Sequence, residues 1–251
     1  MSVDILLPDR ETGYSQPYAL TTHSPLTDEL VLADLLARQP DRVAELTAAA
    51  LAAIAPLHRQ SATLIVVDDV CLLRRWVREP LAAVTEVCER IDPGLVAAAD
   101  RVRKLLWEAL IGRRMPTCWT HGQYTPDNVR LDVRGSVVGI DNWGRARPGQ
   151  LALIDEYLMT LTASCQIEQA EFGALVAARL RGGLSERERD VLRNKHNRPT
   201  AYPEETEPLD EQAAILLTWL HVATAHLFED TTYPQVDGWW ATDVVPVLQS
   251  A

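Results

Sequence analysis

One stretch, His121-Gly122-Gln123-Tyr124-Thr125-Pro126-Asp127-Asn128, constrains this chain more than any other, together with the Asp141 that ends the second of two β-rich runs after it. Val129 to Val133 and Ser136 to Ile140 flank Arg134-Gly135, a pattern that predicts a hairpin. A hairpin returns the chain by the distance it went out, at about 3.3 Å per residue, and so sets Asp141 back beside Asn128. An amide oxygen and a carboxylate then converge, and oxygen donors of this kind suit a hard cation. Any fold for this chain has to keep the loop, the hairpin and the second strand end together.

With 251 residues, 47% of them hydrophobic, the chain is long enough for one or two small domains with a substantial core. Its net charge of −11 argues against a general affinity for nucleic acid or an anionic membrane surface and favours cationic or neutral partners. No run reaches the roughly 18 apolar residues that a membrane span needs. Met1 to Arg10 carries Asp4 and Asp9 and has no basic segment followed by an apolar one, so the expected location is cytoplasmic. Cys71, Cys88, Cys118 and Cys165 form no CxxC pair and are expected as buried, reduced thiols. The spacing of Cys118 and His121 alone is a weak zinc signal.

Helical periodicity dominates the remainder. Ile5 to Leu7 and Tyr18 to Leu20 read as short strands, and Ser24, followed by Pro25, as the cap of a helix running to about Arg38. Asp41 is expected to cap a second helix with an apolar stripe at Val43, Leu46, Ala49, Ala50, Ile54 and Leu57. Thr63 to Val67 and Val70 to Leu73 look like a hairpin around Asp68-Asp69. Further helices are predicted over Pro80 to Ile91, Gly94 to Ile111, Leu151 to Ala163, Glu168 to Leu180 and Leu209 to Phe228. Arg181 to Pro208 reads as loop-rich, and the tail from Asp230 to Gln249, with Trp239-Trp240, as the segment that closes the domain.

His121 to Asn128 with Asp141-Asn142-Trp143-Gly144 resembles the aminoglycoside phosphotransferase and choline kinase family, whose pattern is HGDxxxxN, a hairpin, then a hydrophobic residue followed by Asp and often Trp. Leu51 to His58 resembles the helix ending in Leu-His that precedes this family's C-terminal lobe, and Pro148 to Asp155 its turn and helix after the metal strand, so the likeness covers most of residues 40–251. The resemblance implies an α+β, protein-kinase-like fold. Residues 1–40 would be a reduced N-terminal, β-containing lobe, and residues 41–251 the helical C-terminal lobe with the catalytic-loop hairpin.

By position, the resemblance gives His121 the bracing of the catalytic loop and Asn128 and Asp141 the binding of magnesium and, with it, the nucleotide. Gln123 stands at the general-base position, and Asp127 is the neighbouring carboxylate that could substitute. Asp155 is expected as a satisfied structural residue.

Three departures bear on activity. Gln123 is a neutral amide and cannot act as a base, and base assistance is typically worth about 10²- to 10⁴-fold. No lysine precedes Lys104, so the lysine that grips the nucleotide's phosphates in kinases is missing. Gly13 and Gly94 are the only glycines before residue 110, too few for a glycine-rich phosphate loop. Arg74-Arg75, Arg113-Arg114 and Arg179 with Arg181 are the candidate anion-binding groups, and Trp76, Trp119 and Trp143 the tryptophans that could lie near the motif.

Two classes of function follow. One is an atypical or partner-dependent phosphotransferase, using Mg2+ and ATP or GTP on a hydroxyl acceptor such as a small molecule or Ser/Thr of a peptide in a natural-product pathway, with a protein partner completing the site. The other is a pseudokinase without cofactor, a binding platform for a partner protein or peptide. Neither involves nucleic acid or a membrane.

Overall fold

An apolar stripe recurring every three or four residues makes α2, Val43–Gln60, a core-facing helix: Val43, Leu46, Ala50, Leu51, Ile54 and Leu57 are all buried. Each such leucine or isoleucine taken from water stabilises the fold by about 1.5–3 kcal/mol. The computed structural model describes residues 29–193, 209–229 and 236–251. The expected strands at Ile5 to Leu7 and Tyr18 to Leu20, and the Ser24 cap, lie outside the described residues.

The class is α+β, mainly helical, as the sequence predicts. Two three-stranded sheets are present among the described residues. In the first, β1 (Leu30–Val31) pairs antiparallel with β4 (Val129–Leu131), which pairs antiparallel with β5 (Val137–Ile140). In the second the order is β2 (Thr63–Val66), β3 (Arg114–Thr120), β6 (Arg147–Leu151).

The chain divides into two compact units, with the division falling inside β2 and β3. Of the described residues, the first takes in 29–63, 116–167 and 187–193. In it α1 (Leu32–Arg38) lies against β4 and α2, with Leu32 and Leu36 fully buried, and α2 also meets β5. The helix α5 (Ala152–Glu168) follows β6 directly.

The second unit takes in the described residues 64–115, 168–186, 209–229 and 236–251. Here α3 (Glu79–Ile91), α4 (Val96–Leu110) and α6 (Phe172–Gly182) pack on α8 (Glu211–Glu229). Buried Trp219 of α8 donates its Nε1–H to the Asp243 carbonyl at 2.8 Å, and the Asp243 carboxylate accepts from Gly173 N–H at 2.8 Å. A Cβ on Gly173 would sit 2.2 Å from Asp243 Cα, so only glycine lets α6 approach this closely. Trp240 is buried in the same unit, between α9 (Val236–Trp239) and α10 (Val245–Ser250), in line with a tail that closes the fold.

Several elements differ from the sequence reading, each for a local reason. The helix expected up to Arg38 starts only at Leu32, because Leu30 and Val31 are taken into the sheet opposite Leu131 and Arg130. Asp41 lies inside a 3-10 turn, Pro40–Arg42, and Arg42 stands at the N-cap of α2 with no side-chain capping bond. Val70 to Leu73 is not a strand. The Asp68 carboxylate accepts from Cys71 N–H at 2.6 Å and the Asp68 carbonyl from Leu73 N–H at 3.0 Å, which turns the chain into a helix rather than a hairpin. A π-turn over Arg74–Arg78 follows, just before Pro80, whose ring and missing N–H disrupt regular α-helical bonding there.

Pro148 to Gln150, expected within a turn, and Leu151, expected to open a helix, belong to strand β6, with Thr117 opposite Leu151 and Cys118 opposite Gln150. The stretch read as loop-rich contains α7 (Glu186–Arg193), and residues 194–208 lie outside the described residues. Cys88 and Cys118 are buried as expected, Cys165 is half-buried and Cys71 is exposed; all four are free thiols. No helix among the described residues is long and apolar enough to cross a membrane.

Candidate active site

The loop after β3 is fixed first by a carboxylate beneath it. Asp155 on α5 is fully buried and accepts three hydrogen bonds: from His121 N–H at 2.7 Å, Gly122 N–H at 2.9 Å and His58 Nε2 at 3.0 Å. Burial pushes this carboxyl up, but the bond and charge of His58 and the His121 N–H prevail and hold it below its ordinary value. Asp155 is therefore satisfied and structural, as expected. His58, noted in the sequence only for closing the Leu-His helix end, is its partner.

Gly122 carries the chain round the corner at φ +77°, and a Cβ there would lie 2.5 Å from the Arg145 carbonyl oxygen. Thr125 is extended, as a residue before proline prefers, and Pro126–Asn128 makes one 3-10 turn. Tyr124, fully buried, donates its hydroxyl to the Ala50 carbonyl of α2 at 2.6 Å. Loop and helix are thus tied by a buried polar bond.

His121 then links loop to strand end. Its Nδ1 accepts from Gln123 N–H at 3.2 Å and its Nε2–H donates to the Asp141 carbonyl at 2.7 Å, which assigns the neutral Nε2–H tautomer. The Trp143 ring packs against the imidazole at a tilt of 59°, centroids 4.7 Å apart, and donates Nε1–H to the Ile140 carbonyl at 2.7 Å. Of the three tryptophans considered, Trp143 alone touches the motif in this way; Trp76 is buried in the second unit, and Trp119 N–H donates to Ser61 Oγ at 2.9 Å.

Burial pushes the His121 imidazole below its ordinary value of 6.5, against opposing pulls from Asp155 and the Asp141 and Gln123 backbones. The folded state refuses a proton that the unfolded chain takes up below about pH 6.5, so this contribution to stability is full above that value and declines as pH falls. Urea melts between pH 8 and pH 5.5 should show a flat region and then a loss of up to about 1.4 kcal/mol per pH unit. His121→Gln should remove that part of the slope, and an unchanged slope in the variant would refute the assignment.

The hairpin delivers Asp141 where the sequence places it. Asp141 N–H donates to the Asn128 carbonyl at 2.8 Å, with Val129 opposite Ile140 and Arg130 opposite Gly139. Asn128, Arg130, Gly139 and Asp141 consequently share one face of the β4–β5 pair. Asn128 donates its Nδ2–H to the Gln123 carbonyl at 2.8 Å, an orientation that leaves Oδ1 without a donor among the described residues. Gln123 is half-buried, its Oε1 accepting from Asn142 Nδ2 at 3.2 Å; Asp127 is exposed on the 3-10 turn.

One residue was not anticipated. Arg130 Nε donates to Asp141 Oδ2 at 2.6 Å, with both side chains about one third exposed. The hairpin register could have indicated it: Asp141 is the diagonal neighbour of Arg130 across Gly139, which puts no side chain between them. The arginines singled out in the sequence, Arg74, Arg75, Arg113, Arg114, Arg179 and Arg181, all belong to the second unit, whereas the loop belongs to the first. Arg74 pairs there with Glu79, Arg179 with Glu168, and Arg181 donates to Ser250.

A family model described as the phosphotransferase enzyme family matches residues 3–193, well over half of the chain. The chain belongs to that family. No curated protein matches it. The family match begins at residue 3 rather than near residue 40, and takes in the loop, the hairpin and α5. The protein is accordingly phosphotransferase-like, in a family whose phosphotransferases generally use ATP and Mg2+.

The donors present fit such an ion. Asn128 Oδ1 and the Asp141 carboxylate oxygen not used by Arg130 are hard oxygen donors on one sheet face, and Mg2+ is usually held by one or two protein oxygens with phosphates and water. Among the described residues no group of three or more His, Cys, Asp or Glu could hold a metal, which sets this pair apart from a closed structural zinc site.

Proposed function

We propose that this phosphotransferase-family protein transfers a phosphoryl group from ATP or GTP to a hydroxyl acceptor, slowly, with Asn128 and Asp141 as the oxygen donors for Mg2+ and nucleotide. The observation that carries the reading is the closure of loop on hairpin: Asp141 N–H on the Asn128 carbonyl at 2.8 Å and His121 Nε2 on the Asp141 carbonyl at 2.7 Å. Both donor side chains are thereby held on rigid backbone, and a phosphoryl-transfer site works chiefly by positioning and charge neutralisation.

Mg2+, when bound, would neutralise phosphate oxygens. The Gln123 amide offers a hydrogen bond to the acceptor hydroxyl and takes no proton, so turnover lacks the base's share of about 10²- to 10⁴-fold. Asp127 is the candidate carboxylate within the loop. A partner protein that completes the nucleotide site, and a Ser/Thr acceptor on a peptide of basic character, suited to the acidic chain, belong to the same cytoplasmic reading.

Calorimetric titration of ATP and GTP with Mg2+ tests it. Binding is expected, weakened at least about tenfold in Asp141→Asn, a loss worth 1.4 kcal/mol or more. No binding at millimolar nucleotide would favour the second reading, a pseudokinase platform. The replacement of the base carboxylate by Gln123, engaged with Asn142, is the observation on its side.

A further inference from the structure

Arg130 sits where the sequence shows a gap. The family's nucleotide-gripping lysine has no counterpart before Lys104, and in a chain of net charge −11 a triphosphate needs local positive charge to be held. Arg130 is two residues past Asn128 on β4, on the sheet face that carries Asn128 and Asp141. Its Nε–H is spent on Asp141 Oδ2 at 2.6 Å, which leaves four of the five guanidinium N–H groups outside that bond. The carboxylate fixes the plane of the guanidinium, and the planar fork is the shape that takes a phosphate in bidentate fashion. At one third exposure the group is both anchored and open to a ligand.

We propose that Arg130, positioned by Asp141, is a phosphate-binding residue of this site and an internal cation that lets the protein hold a nucleotide triphosphate without a divalent ion. The inference rests on the nucleotide reading above and deepens it. Asp141 has two carboxylate oxygens: Arg130 takes one, and the other, with Asn128 Oδ1, stays available to Mg2+. Guanidinium and Mg2+ would therefore both supply positive charge to the nucleotide's phosphates, so that loss of the metal would weaken binding rather than abolish it.

ATP binding by calorimetry, in EDTA and in excess Mg2+, separates the possibilities in the wild-type chain alone. Affinity in EDTA within about tenfold of that in Mg2+ is expected. Arg130→Met should lower metal-free affinity by at least about tenfold and leave the residual binding dependent on Mg2+, while Arg130→Lys, which keeps the charge without the fork, should fall between. Binding that occurs only with Mg2+, or metal-free binding unchanged in Arg130→Met, overturns the role of Arg130 and leaves the nucleotide reading standing. Absence of binding under both conditions overturns both. Thermal melts of the variants confirm folding, and the EDTA comparison decides the question even where a variant does not fold.

Discussion

Asp155→Ala is expected to lower the stability of the protein by about 3–5 kcal/mol, because it strips the acceptor from three buried donors, and each polar group left unsatisfied in the interior costs about 1–3 kcal/mol. His121 N–H, Gly122 N–H and His58 Nε2 would all face a cavity with no acceptor. Single domains are stable by only about 5–15 kcal/mol, so such a loss is a large share of the total. The effect is read as a fall in the urea midpoint at pH 7. Asp155→Asn tests the cause: it keeps the volume but turns one acceptor into a donor facing an N–H, and should cost about 1–3 kcal/mol. A loss below about 1 kcal/mol for the alanine variant would show that the loop is held some other way.

Gly122→Ala should be nearly as damaging, for a reason of shape. At φ +77° an L-residue pays about 1–2 kcal/mol, and the new methyl would lie 2.5 Å from a main-chain oxygen of Arg145 that no rotamer change can move. Adding about 1–3 kcal/mol for forced displacement of packed backbone gives about 2–5 kcal/mol in all. Denaturant unfolding measures it, and hydrogen exchange at Gln123 and Asn128 should show whether the loop opens first. Gly144→Ala, where a Cβ meets nothing within 4 Å, serves as the matched control and should be mild.

How much of this could be read in the sequence depended on the range of the interaction. Hairpin and loop were legible because their signals are local: alternating β-branched residues around Arg134-Gly135, and a proline after Thr125 that forces an extended residue before the turn. The long helices were legible from periodicity, as α2 and α8 show. Where side chains competed with the pattern, the reading failed. Asp68 bonds its own following N–H groups and turns Val70 to Leu73 away from a strand, and the two residues before α1 join a sheet strand a hundred residues distant in sequence. In the site itself the motif residues assembled as expected, whereas His58 on Asp155 and Arg130 on Asp141 required the folded chain. Arg130 hid because an arginine on a short strand reads as a solvated edge until its cross-strand neighbour is known.

At residues 123 and 141 the backbone groups, and not only the functional side chains, are fastened to their neighbours. Gln123 is fastened through its N–H to His121 and its carbonyl to Asn128, and Asp141 through its N–H to Asn128 and its carbonyl to His121. Residue 123 can therefore exchange its functional group with little effect on the architecture, so a carboxylate can be placed there without unfolding the loop. The same separation makes position 123 favourable for engineering: its chemistry can be rewritten while the scaffold is left alone.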